Sequence, residues 1–532
     1  MAGADRLSGL SDDLLASIVS LLPTREAVRT VALSRRWRPV WLRTHSLILD
    51  SRSYVDHSKD PYAYAGRQDQ GIQDRLFSDA GEFLDQCNHV RKLSLSVHGR
   101  DKDYFQNVMG RETRDSYDLM ASLLAAPALR YLEEVRVKLE VTKRGADYQW
   151  EEKLSGWVYK LDPAELPGHT LRVLDLDFCR LESDAAISFP LLSSLRLYKC
   201  SSSTKDLEGW IRTAPSLANM HIQDHNFYGR RSDDDKRFSL HSPSLTTLTL
   251  VPGSWSGEHY ELDVPHLLAF KYKGESQAFS MKSQTTKLVR VDLTATQTWF
   301  ASIWQLLSNF RHTKAIKLKV PSIEDIAVDK EVQHEHLFTL SGLERLELQG
   351  FSDPGRRNET ALAVANLLQC CPVIHYLLIR IPTHPYRTHY VHRRNTEVRV
   401  SDFDVSMDVF RRRYSKEMVP LMLDQDDEVA VLPGLTGCRF RCLEDHLKSV
   451  TLQFELKELN SFEVCLAKFF AENCMVLEVL QIHDGTHNFL RHINWMVERW
   501  GAKQRKQMDL DSANSSKQRG KRKRNYRACS AE

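Results

Sequence analysis

The chain has 532 residues, 42% of them hydrophobic and 27% charged, the mix of an ordinary folded protein. No apolar run approaches the ~20 residues that span a bilayer, and the opening MAGADRLSGLSDD has no cationic stretch leading into an apolar one, so neither a membrane partner nor secretion is expected. Net charge is +3, yet residues 501–532 hold ten Lys/Arg against three Asp/Glu, a surplus of 7, so the remainder sums to −4 and is no nucleic-acid surface by charge alone.

Chain order begins with LSGLSDDLLASIVSLLPTREAVRTVALSRRWRPVWLR, from Leu7 to Arg43. Ser11 is a good N-cap, and Asp12 and Asp13 suit the positive end of the helix dipole. Leu14, Leu15, Ile18, Val19 and Leu22 recur at helical spacing until Pro23. Thr24 is expected to cap a second helix, with Val28, Val31 and Ala32 on one stripe. Ser34 is expected to cap a third, with Trp37, Val40 and Trp41 together and Pro39 near its start. Three such short helices bury too little surface to be stable alone. Paired tryptophans suit anchoring a partner; a helical cap on the following domain is the alternative.

The order of residues resembles the F-box: a Leu-rich first helix, LLP, then ALSRRWRPVW, over roughly Asp5 to Asp50. Many F-boxes have Leu-Pro where this chain has Leu10-Ser11. The resemblance implies docking on a Skp-type adaptor and, through it, a cullin. It makes Leu10, Leu14, Leu15, Ile18, Leu22, Pro23, Val28, Val31, Leu33, Trp37 and Trp41 the candidate adaptor-binding and core residues, with the division between the two sets open.

The long middle repeats Leu-x-x-Leu-x-Leu. Leu171, Leu174, Leu176, Cys179 and Leu181 follow the leucine-rich-repeat pattern, and Leu192, Leu195, Leu197 and Cys200 repeat it. Looser copies centre on Met220, Leu248, Phe270, Val291, Ile316, Leu346 and Leu377, with earlier ones at Leu93 and Val135. From Leu174 to Leu377 the centres are 21, 25, 28, 22, 21, 25, 30 and 31 residues apart, close to the ~20–29 of such repeats. Each unit has a short strand whose inward face needs neighbours to bury it. Pro190, Pro215, Pro243, Pro265 and Pro372 precede strands in one slot and stop the preceding element. The expected class is α/β: a curved parallel sheet with helices and loops on its convex side. An ordinary parallel α/β sheet is the competing architecture.

Residues 442–482 read as strand (Leu447, Val450, Leu452), helix (Phe462 to Asn473) and strand (Leu477, Leu480, Ile482). They resemble the FBD module that follows F-box and leucine-rich-repeat segments in a large plant family. The expected domains are F-box 5–50, linker 51–85, repeats 86–400, irregular insertion 401–441, FBD-like unit 442–500 and disordered basic tail 501–532. Lys521, Arg522, Lys523 and Arg524 are a nuclear-import candidate; direct nucleic-acid binding lacks an aromatic platform there.

Catalytic and metal motifs are not found: no phosphate-cradling loop, no G-x-S-x-G, no H-E-x-x-H. His334–His336 reads as a solvated loop, and the pairs Cys438/Cys442 and Cys370/Cys371 lack second pairs at zinc spacing. Cys179 and Cys200 read as packed repeat cysteines, and the ten cysteines are expected reduced. His384, His389 and His392, with Arg387, Arg393 and Arg394, suit either a surface loop or a contact for an acidic partner. Asn358 matches a glycosylation sequon by pattern only. No cofactor and no metal are expected. The resemblance implies a non-catalytic substrate-recognition subunit of a Skp–cullin–F-box ubiquitin ligase, acting in nucleus or cytoplasm on an unknown target. A protein-binding scaffold without ligase function, an enzyme with an unusual site and a tail-borne nucleic-acid binder are the rivals.

Overall fold

The computed structural model describes residues 9–54, 68–87, 89–99, 105, 108–109, 118–141, 158–182, 188–228, 237–253, 259–275, 279–283, 287–296, 300–382, 431–454, 462–483, 497–502 and 506. The chain divides into two compact units, Met1–Leu267 with Ala278–Thr285, and Leu268–Gln277 with Thr286–Glu532.

In the first unit, parallel strands pair in chain order: Ser46–Asp50, Lys92–Gly99, Glu134–Val141, Val173–Asp177, Ser194–Tyr198, Asn219–Gln223 and Thr247–Val251. The register aligns the motif centres. Leu47 lies opposite Leu93, Leu93 opposite Val135, Val135 opposite Leu174, and so on through Leu195, Met220 and Leu248. All are buried, and each contributes about 1.5–3 kcal/mol by leaving water. Neighbours in sequence are neighbours in the sheet, as stacked repeats require; a doubly wound α/β sheet reverses its strand order part-way.

The second unit obeys the same rule with Ala269–Gly274, Arg290–Ala295, Ala315–Ser322, Arg345–Phe351, Tyr376–Ile381, Ser449–Phe454 and Val479–His483. Its helices Phe300–Ser308, Arg357–Cys370 and Phe462–Asn473 lie between strands in the chain, the last with the boundaries its sequence predicts. Cys371 and Cys442 are buried, and burial pushes the Cys442 thiol up to about 12. Asn358 sits exposed at the start of helix Arg357–Cys370.

Several expectations are corrected. The first strand, Ser46–Asp50, belongs to the sheet and not to the N-terminal helices, because Leu47 and Leu49 alternate inward. Residues 68–86, expected as linker, form helix Gln68–Gln86, whose Ile72, Leu76, Ala80 and Phe83 are buried. Phe105, Val108 and Met109, between the strands Lys92–Gly99 and Glu134–Val141, are fully buried. The insertion is shorter than expected at its end. Leu432, Leu435 and Phe440 are buried, and a Cβ at Gly434 would come within 3.1 Å of Ala361, a contact tighter than side chains ordinarily make. His334–His336 belongs to a four-residue helix, Gln333–His336, with no buried residue.

Helices and loops do not account for the whole second layer of the first unit. Tyr159–Leu161, Cys179–Leu181, Ser201–Ser202 and Asn226–Phe227 form one parallel sheet, and Arg237–His241, His259–Asp263 and Phe279–Met281 another. The corner into the first of these is repeated. Phe178, Lys199 and Asp224 each follow a main strand with φ of 53°, 49° and 51°. That conformation costs a non-glycine residue about 1–2 kcal/mol. The amides of these residues donate to Tyr198 O, Gln223 O and Val251 O at 2.8–2.9 Å, which continues the ladder through the turn and offsets the strain. Cys200 sits inside the corner, donating to Leu176 O at 3.3 Å and accepting from Cys179 N at 3.4 Å.

Candidate functional site

The N-terminal module starts with helix Asp12–Val19. Ser11 caps it, accepting from Leu14 N at 3.4 Å. The second helix, Thr24–Arg29, follows Pro23 directly, and Thr24 is no cap. Its hydroxyl accepts from Ile48 N at 2.9 Å and ties the module to the first strand of the sheet. No third α-helix forms. Thr30–Ala32, Arg35–Trp37 and Trp41–Thr44 are separate 3-10 turns. Pro39 has no N–H to donate, and the amides of Val40 and Arg43 reach back only three residues, to Trp37 O and Val40 O.

Ion pairs hold these turns on the first helix. Arg36 Nε donates to Asp12 Oδ1 at 2.9 Å, and Arg43 donates to Asp13 Oδ1 at 2.6 Å. Arg25 lies over the Tyr54 ring, 4.7 Å from its centroid, and donates to Ser53 O at 2.5 Å.

Burial divides the candidate residues. Leu15, Val19, Trp37, Val40 and Trp41 are core, and Trp41 packs on Phe83 of helix Gln68–Gln86 with ring centroids 5.6 Å apart. The tryptophans therefore hold the module together and seat it on its own unit, leaving little of either ring for a partner. Leu10, Leu22, Pro23 and Val31 are half-buried. Leu14 and Ile18 are 53% and 42% exposed on the opposite stripe of the first helix, Leu21 just beyond it is 77% exposed, and Val28 and Leu33 also face solvent. Leu21 is absent from the sequence-based candidates although it stands in the LLP motif; its signal is an aliphatic residue beside a proline that ends the helix.

The second feature is the polar face of the main sheet, built from residues between the buried leucines. In the first unit it closes on itself. One Arg196 nitrogen donates to Asp175 Oδ1 at 2.5 Å and to Asp177 Oδ1 at 2.7 Å, and Leu139 N donates to Asp177 Oδ2 at 3.3 Å. Both carboxylates are buried. Burial pushes Asp177 up to about 6, partly opposed by Arg196. A crevice of about 340 Å³ elsewhere in this unit is lined by Glu208, Arg212, Ser239 and His241, and Glu208 accepts the Ser239 amide at 3.1 Å.

Among the described residues no group of three or more His, Cys, Asp and Glu is arranged to hold a metal, and no helix is long and apolar enough to cross a membrane. His384, His389, His392, Arg387, Arg393, Arg394 and the import candidate Lys521–Arg524 lie outside the described residues.

No family model matches the chain. Curated proteins do. The chain is 26% identical over 345 residues to an F-box/FBD/LRR-repeat protein of Arabidopsis thaliana, covering 61% of this chain and 66% of that one. A putative FBD-associated F-box protein of the same plant is 26% identical over 251 residues, 47% of this chain and 45% of its own. An FBD-associated F-box protein, also from Arabidopsis thaliana, is 24% identical over 305 residues, 55% of this chain and 56% of its own. The matches thus span about half to two thirds of these relatives' length. A helical module with exposed aliphatics, parallel strands stacked in chain order and relatives of that description agree in what the chain resembles: the plant F-box/leucine-rich-repeat/FBD proteins.

Proposed function

We propose that the chain is the substrate-recognition subunit of a Skp–cullin–F-box ubiquitin ligase. The N-terminal module docks on a Skp-type adaptor, which bridges to a cullin, and the repeat sheet holds a target. The chain itself does no covalent chemistry. Holding the target beside the transfer site raises its effective concentration there. The observation that carries this reading is the uncovered aliphatic stripe Leu14, Ile18 and Leu21 on a module whose own core is already filled by Leu15, Trp37 and Trp41. Large exposed apolar side chains side by side mark a surface for another protein.

The test is capture of a Skp-type adaptor by the full chain. Leu14→Asp/Leu21→Asp is expected to abolish capture with an unchanged thermal midpoint, because neither side chain is core. Leu15→Ala is the contrast: it is fully buried and is expected to cost about 2–5 kcal/mol of stability. Capture by Leu14→Asp/Leu21→Asp at the level of the unaltered chain overturns the reading.

The seat of Trp41 on Phe83 supports a second reading, a protein-binding scaffold without ligase function whose module only caps the sheet. That reading expects no adaptor capture by the unaltered chain. We further place the protein in nucleus and cytoplasm, with import through Lys521–Arg524. A fluorescent fusion that stays nuclear after these four residues become Ala removes the import role.

A further inference from the structure

The crevice of about 340 Å³ in the first unit lies between helix Thr204–Arg212 and strand Arg237–His241. That strand is an edge of its three-stranded sheet, paired on one side only, with His259–Asp263. The backbone groups of successive strand residues point to opposite sides. Ser242 N donates to Asp263 O at 3.1 Å, so Ser242 and its alternates face the paired strand, while Ser239 and His241 face away from it. The Ser239 amide follows that rule, donating to Glu208 Oε1 of the helix at 3.1 Å. The Ser239 carbonyl and the His241 amide point to the same side, where both residues line the crevice, and neither group has a hydrogen-bond partner among the described residues. Arg212, the last residue of the helix, also lines the crevice; it is exposed and makes no ion pair among the described residues. Glu208 stands one turn before it, the usual partner at that spacing, but is turned to the strand. His241 Nδ1 is engaged by Asp263 Oδ2 at 2.7 Å, which fixes that ring.

We propose that this crevice binds a short extended peptide bearing an acidic side chain, which adds to the open edge of strand Arg237–His241 and pairs its carboxylate with Arg212. One residue of a parallel incoming strand donates its N–H to the Ser239 carbonyl and accepts from the His241 amide, as the ladder requires. Glu208 fills the acceptor place at the Ser239 amide, so the added strand stops there and the segment is short. The volume lies within the ~300–1,000 Å³ of ligand-binding clefts. Ile211, Pro215 and Pro243 give the crevice its apolar wall, which suits aliphatic side chains alternating with the acid. A free inorganic anion would use Arg212 without the strand edge and would meet the Glu208 carboxylate; a peptide places its charge at Arg212 and its main chain on the strand.

The experiment titrates the full chain against a fluorescein-labelled peptide of alternating Val and Asp, followed by anisotropy, and reads amide hydrogen exchange at His241 with and without the peptide. Saturable binding with a slowed His241 amide is expected. Arg212→Glu is expected to weaken binding about tenfold or more at an unchanged thermal midpoint, because the side chain is exposed. Arg212→Lys should retain most of the affinity. Arg130→Glu, an exposed change after the turn Pro127–Leu129, controls for total charge; the basic tail is present in every variant. The same peptide with its amide hydrogens replaced by methyl groups keeps its charge, loses the edge donors and should not bind. No saturable binding, unchanged affinity in Arg212→Glu, equal binding of the methylated peptide or an unprotected His241 amide in the saturated complex each overturns the proposal. So does free aspartate that displaces the peptide at equal concentration, which would leave only a small-anion site. No adaptor is in the assay, so this result and adaptor capture stand or fall separately.

Discussion

The polar faces of the two units are built from the same strand positions and end in opposite states. In the first unit, acid and base stand on adjacent strands and satisfy one another: Asp175 and Asp177 are buried around a single Arg196 nitrogen. In the second, arginines on the same strands take up Asp292 and Glu347, and Lys317 reaches Glu347 across the sheet at 3.9 Å. The buried side of the ladder needs only apolar residues at alternate positions, so the other side can be internally satisfied or left for a partner. A closed, buried ion-pair network contributes to the fold more than exposed pairs within single strands do.

Removing Arg196 should break that contrast most strongly. Arg196→Ala leaves two buried carboxylates without their cation and is expected to cost about 3 kcal/mol, read as a shift of the urea midpoint. A change below about 0.5 kcal/mol would mean that the first face is no more integrated than the second.

Titration comes next. Asp177 is held at about 6 by burial, above its ordinary 3.8. Between those values the folded chain binds a proton that the unfolded chain has lost. This group's contribution is therefore full below pH 3.8 and lost as pH rises through 6. The loss amounts to about 3 kcal/mol. Asp177→Asn should flatten that part of the stability profile, measured by chemical denaturation at intervals across it. An unaltered slope would place the titrating group elsewhere.

Smaller effects belong to the second face. Gln349 is 5% exposed with its amide oxygen unpaired, so Gln349→Leu is expected to stabilise by about 1 kcal/mol in the same urea assay. A loss would mean that its amide makes a needed bond. Replacing Lys271, Lys273, Lys317 and Lys319 together with Gln should move stability by no more than about 0.5 kcal/mol. A larger loss would make those lysines structural, as in the first face.

Much of the fold is legible from Leu-x-x-Leu-x-Leu. The inward residues of each strand, from Leu93 to Ile482, are named by period-two alternation, and the repeat spacing ties them into one ladder order. The failures are equally specific. Ser46–Asp50 is hidden because it adjoins the helical module with no turn signal between them. Helix Gln68–Gln86 is hidden because its apolar residues are diluted by Gln and Asp. The short second-layer strands of the first unit have two to five residues each, too few to show a period. Thr24 and Pro39 mislead locally. A hydroxyl that could cap a helix instead reaches the sheet, and a proline tolerable at a helix start prevents that helix from forming.

The sequence by itself determines the repeat, its strand centres and the family that the N-terminal module resembles, since periodicity and motif order are properties of the chain. Only the tertiary structure decides which of the module's apolar residues are core. Leu14 and Leu15 are adjacent and chemically identical, and one is exposed while the other is sealed. The charge of a sheet face follows the same logic. Asp175 meets Arg196 across 21 positions of sequence because strand register brings them together. Burial and register are relations between segments distant in the chain, so they come into being only when the ladder closes.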